Sequence, residues 1–151
     1  MVDGGEPSER ETRELYRSAE TAVYTMTQSV AVFDAIEPAV ADALDRGRSV
    51  NALLREPDRT EPEKVDRQHR IVETIRVEYP AIDLRYSRDQ LPWHDTFVDP
   101  AADYSSGSAI LLVEEDVPNR LPQAAVTENG SFVAGLKRYF DLVWAYESEP
   151  V

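Results

Sequence analysis

The 151-residue sequence contains no cysteine. That absence excludes disulfides, thiol nucleophiles and every zinc site built on thiolates. Histidine occurs twice, as His69 and His94, too far apart in the chain to suggest a transition-metal site. No apolar run reaches the roughly 18 residues needed to cross a bilayer. The N-terminus is acidic rather than basic-then-apolar, unlike a secretory signal. These absences lead to the expectation of a cytoplasmic protein with no membrane contact, no metal and no cofactor. Lysine is also scarce: Lys64 and Lys137 are the only two, and arginine supplies the remaining basic positions.

Acid is abundant. Asp and Glu number 29 against 16 Lys and Arg, a formal charge of −13. Nucleic-acid affinity depends on cations neutralising phosphates, so the chain as a whole is a poor candidate for contacting DNA or anionic lipid. Carboxylate excess with almost no lysine resembles the proteins of salt-accumulating haloarchaea. There, hydrated carboxylates keep proteins soluble while molar salt screens repulsion to about 3 Å. Apolar residues still make up 42% of the chain, enough for one domain with a real core.

Local pattern divides the chain. Residues 1–8 read as a disordered acidic tail, 9–147 as one domain, and 148–151 as a second tail. Ser8 with Glu11 fits a capping box opening a short helix to about Ala19. Alternation predicts strands near 21–27, 48–55 and 82–86. Val32, Phe33, Ile36, Val40 and Leu44 recur at helical spacing, with Pro38 near the first turn or at a kink and Gly47 as the C-cap. Pro62 opens a long helix that Pro80 stops. Thr96–Val98 is a candidate short strand in a turn-rich stretch. Residues 109–113 read as a central strand buried on both faces, and 123–127 as another strand. Asn129 caps a last helix with Phe132, Leu136, Phe140 and Val143 as its inward stripe, and its aromatics Phe132, Tyr139, Phe140 and Trp144 read as core and as a candidate dimer face. The order predicts an α/β domain whose mixed sheet of about five to seven strands is flanked by helices, the first strands parallel. Neither repeats nor low-complexity tracts are present.

Particular strings carry a family likeness. Residues 15–24 (LYRSAETAVY), then 40–50 (VADALDRGRSV), and the closing Ala125-Val126-Thr127-Glu128-Asn129 before Phe132, Leu136, Phe140 and Trp144 resemble the effector domain of TrmB-type archaeal transcription regulators. The resemblance spans roughly 9–147. It implies a phospholipase D-like half-domain that couples binding of a small molecule, often a sugar, to DNA binding by an attached winged helix. No winged helix precedes the first strand, so the expectation is a stand-alone relative or the C-terminal part of a longer regulator. DNA would then be reached only through an attached or partner winged helix.

The phospholipase D signature is His-x-Lys, a later Asp, then Gly-Ser-x-Asn. His94 and Gly107-Ser108 fall near the expected separation, but Thr96 replaces the lysine, Ile110 replaces the asparagine, and Asp99 comes too early. That chemistry needs the His as nucleophile and the Lys and Asn as phosphoryl-oxygen donors. His94, Asp99 and Ser108 therefore read as relics, and no catalysis is expected. Ligands of open α/β sheets sit at the carboxyl ends of parallel strands. Thr25, Thr27, Gln28, Arg55, Arg88, Trp93 and His94 are the candidates there. The acidic residues Asp99, Asp103, Glu114, Glu115 and Asp116 lack EF-hand spacing and read as halophilic surface. The leading expectation is a non-catalytic, homodimeric sensor domain. A phosphodiesterase completed by dimerisation, with Arg85 and Arg88 as donors, and a purely structural interaction module are the alternatives.

Overall fold

The computed structural model describes residues 5–27, 33–56, 62–88, 93–113 and 123–151. In chain order the elements are α1 (Gly5–Ser18), β1 (Ala22–Thr27), α2 (Phe33–Asp45), β2 (Ser49–Arg55), α3 (Pro62–Glu78), β3 (Asp83–Ser87), β4 (His94–Val98), β5 (Ser108–Val113), β6 (Gln123–Thr127), α4 (Gly130–Tyr146) and β7 (Ser148–Pro150). The strands form one seven-stranded sheet in the order β6-β5-β4-β1-β2-β3-β7. β1, β2 and β3 are parallel, as expected from the intervening helices, and the other pairings are antiparallel. The mixed α/β class read from the sequence is therefore the observed one.

Alternation along each strand divides the core in two. Val23, Val50, Leu54, Val98 and Ile110 face α1, α2 and α3, whose Tyr16, Ile36, Val40 and Ile75 cover them. Met26, Leu53, Phe97 and Ala109 face α4, which contributes Val133, Leu136, Phe140 and Val143. Phe132, expected in that stripe, is 47% exposed. The 133-136-140-143 spacing sets the buried face, and Phe132 lies one helical step (about 100°) outside it.

Several elements depart from the sequence reading. The first helix begins at Gly5, inside the stretch read as a tail, because Pro7 falls in a first turn where its missing N–H has no helical partner to lose. Pro38 lies inside α2, five residues beyond its first described residue, Phe33. Residues 109–113 do not form the central strand. β5 lies second from the sheet edge, and β1 occupies the middle. The 148–151 tail is largely β7, hydrogen-bonded antiparallel to β3 after the α4 C-cap at Glu147. Ser148 fastens it, accepting from Arg85 Nε at 2.6 Å and donating to the Trp144 carbonyl at 2.5 Å.

The turn Arg46-Gly47-Arg48 performs a structural task that the sequence did not reveal. Gly47 adopts φ +79°, and the guanidinium groups of Arg46 and Arg48 donate to the Tyr16 and Ala19 carbonyls that close α1. This locks α1 to the α2–β2 junction.

Candidate functional site

Register decides what becomes of the phospholipase D-like motif. Thr96 pairs with Ile110 and His94 with Leu112 across β4 and β5. Residues paired in register share a face, so His94, Thr96 and Ile110 project together toward the α1–α2 side. The strands thus bring together the positions corresponding to the motif's His, Lys and Asn. The residues there form a closed hydroxyl ladder. Thr25 Oγ1 donates to the Asp95 carbonyl at 2.8 Å and lies 3.1 Å from Thr96 Oγ1. One hydroxyl carries one proton, so Thr96 is the donor in the second contact. Thr27 Oγ1 lies 3.0 Å from His94 Nδ1. Thr96 and Ile110 are 5% and 4% exposed. Neither a charge nor an amide stands where the signature has its phosphoryl donors.

The other relic candidates lie elsewhere. Asp99 and Ser108 are at the far end of β4 and β5 from His94, since Ser108 pairs with Val98. Asp99 is a clamp. Its carboxylate accepts from the backbone N–H groups of Glu20, Thr21 and Ala22 at 2.8–3.1 Å and from the Thr21 hydroxyl. Partial burial opposes its charge, but these donors outweigh that cost and hold the carboxyl below the ordinary range.

The ligand candidates scatter too. The Thr25 and Thr27 hydroxyls are engaged internally, and with Tyr16 they line a cavity of about 50 Å³, too small for a sugar. Arg55 ends β2, its carbonyl accepting from Gln68 Nε2 at 2.8 Å. Arg88 is exposed and donates to the Ser148 carbonyl. Trp93 turns toward α4, where its ring packs on Tyr139. Gln28 lies outside the described residues, as do Glu114, Glu115 and Asp116. Among the described residues no cluster of three His, Asp or Glu side chains can hold a metal ion.

Sequence reasoning missed Asp95. It projects from β4 toward α4, between the aromatic rings of Trp93 and Phe97, and is 3% exposed. Its Oδ2 accepts from Trp93 Nε1 at 2.7 Å, while its Oδ1 has no hydrogen-bond partner among the described residues. Desolvation pushes its carboxyl up to about 7, against the opposing pull of the Trp93 indole and the Met26 backbone. The sequence did hold a signal: Trp93, Asp95 and Phe97 alternate onto one face, setting an acid between two aromatics.

This architecture is a phospholipase D-like fold, and solved structures of that kind match the chain over nearly all its length. Nuc from Salmonella typhimurium, a phospholipase D family member, matches at 14% identity over 94% of this chain and 89% of its own, with a TM-score of 0.64. NucT from Helicobacter pylori matches at 14% identity over 97% and 94%, TM-score 0.62. TrmBL2, an archaeal chromatin protein with a novel mode of DNA binding, matches at 20% identity over 99% of this chain, TM-score 0.67. The chain spans about half of TrmBL2, 53% of its length. At these identities the likeness establishes the fold alone. No protein-family model matches the sequence, and no curated protein matches it. No helix among the described residues is long and apolar enough to cross a membrane.

Proposed function

We propose that the chain is a non-catalytic, TrmB-like sensor domain, in which a phospholipase D-like scaffold keeps its shape without the chemistry. The observation that carries this reading is the buried Thr96–Ile110 pair at the motif's donor positions. Phosphoryl transfer needs preorganised donors where negative charge develops, and losing one such donor typically costs about 10²–10³ in rate. Here two are replaced, and the His94 imidazole is tied to Thr27. Rescue by a partner subunit through Arg85 and Arg88 is disfavoured, because both donate to Ser148 within their own chain. In this reading the domain binds a small-molecule effector, works as a homodimer in a salt-rich cytoplasm, and touches DNA only through a winged helix attached to it or supplied by a partner.

A second reading, a phosphodiesterase, has one observation in its favour: the chain matches nearly the whole of Nuc and NucT but only half of TrmBL2. Hydrolysis of an aryl phosphodiester in molar KCl, by the wild type and by His94→Ala, separates the two. The expected result is no turnover by either protein. Turnover that the substitution abolishes would replace the sensor reading with the enzymatic one.

A further inference from the structure

A groove of about 710 Å³ opens at the end of β1 remote from His94, between the loop after β4 and the outer face of α4. Its volume falls within the ~300–1,000 Å³ range of small-molecule sites. Tyr24 lies at its base, Tyr104 comes from the loop, and Lys137, Arg138 and Tyr146 come from α4. Small residues, among them Ala101, leave it open.

The loop wall is held firmly. Asp99, at φ +53°, is fixed by its four hydrogen bonds to residues 20–22. Tyr104 adopts φ +65°, a conformation unfavourable for a bulky side chain. Its carbonyl is seated so closely on the first turn of α4 that a Cβ at Gly130 would lie 2.2 Å from it. The result is a ring held out in solvent: Tyr104 is 62% exposed, and Tyr146 on the helical wall is 73% exposed.

The charge of the groove runs against that of the chain. Lys137 lies 5.1 Å above the Tyr24 ring and is neutralised by Asp141 through contacts of 2.6 and 2.8 Å. Arg138, beside it, has no ion pair or hydrogen bond among the described residues, so its planar fork is free to take an anion. In a chain of net charge −13 the groove's charged lining, Lys137 and Arg138 against Asp141, leaves one cation in excess. Two presented tyrosine faces and one uncommitted guanidinium match a ligand with a flat ring and a compact anionic group.

We infer that this groove is a binding site for a small ring-bearing anion of the nucleoside monophosphate class, with its base against Tyr104 and Tyr146 and its phosphate on Arg138. The inference extends the sensor reading by naming a ligand class. It fails separately, because the groove and the His94 ladder occupy opposite ends of β1.

The test is calorimetric titration of the whole chain in molar KCl with adenosine 5′-monophosphate, adenosine, inorganic phosphate and glucose. Arg138→Gln and Tyr146→Ala are the variants; both positions are exposed, and unliganded melting curves report that each still folds. The expected result is saturable binding of the monophosphate, weaker by about tenfold in each variant and by a similar factor for adenosine. No heat with the monophosphate, binding by either variant as tight as by the wild type, or tighter binding of glucose would each overturn the inference. So would phosphate alone binding as well as the nucleotide, since the tyrosine rings would then contribute nothing.

Discussion

Replacing Asp95 by Asn tests whether a buried acid is kept protonated in the folded chain. The carboxyl is pushed from 3.8 up to about 7 by desolvation, so the native state holds its proton more tightly than the unfolded chain does. The sign follows from linkage. The contribution to stability is complete below the unfolded value near 4, declines as pH rises, and is lost by the time pH passes about 7. Over that interval the two values correspond to about 4 kcal/mol, an upper figure because denatured chains retain some burial of their own. Asn has nearly the same shape, keeps an oxygen for the Trp93 indole and cannot ionise. Its amide places a donor where Oδ1 now lacks a partner, which displaces the variant's stability by an amount that does not vary with pH. The readout is therefore the slope of the difference between the two proteins, in which all the other carboxylates cancel. Melting temperatures in molar KCl should move in favour of Asp95→Asn between pH 4 and pH 8, by about 10 °C in total. A difference that stays constant across that range would refute the argument, because it would mean Asp95 ionises alike in the folded and unfolded chain.

Three further outcomes are expected. Asp99→Ala removes four hydrogen bonds and should cost about 1–2 kcal/mol after allowance for solvent, measured by urea unfolding; the loss should shrink in acid, where the wild-type carboxylate is itself protonated. Two glycines of α4 should respond with opposite signs: Gly135→Ala, with nothing within 4 Å of the new Cβ, should stabilise by about 0.5–1 kcal/mol, whereas Gly130→Ala should destabilise by about 2 kcal/mol through its collision with the Tyr104 carbonyl. A shift in the same direction for both would show that the loop yields. Dialysis from molar salt to below about 0.1 M should lower the melting temperature as carboxylate repulsion loses its screening, and a salt-independent melt would assign the charge to solubility alone.

The early segments are legible in the sequence alone. Strands at 22–27, 49–55 and 83–87 and the helices between them follow from side-chain periodicity and from Pro and Gly punctuation, which act over a few residues and can be read locally. The chemistry missing from the motif is legible there too, since Thr96 and Ile110 are not donors for phosphate wherever they lie. What those segments face and what they touch came from long-range packing. Only register across β4 and β5 set His94, Thr96 and Ile110 on one face, and only the stacking of α4 on the other face buried Asp95 and turned Phe132 outward. The Asp99 clamp reaches residues 77–79 positions away, and β7 pairs with a strand some 60 residues earlier, distances over which no local pattern carries information. The groove has the same origin. Its tyrosines and its free arginine come from a strand, a loop and a helix that are distant in sequence, and packing alone makes them neighbours.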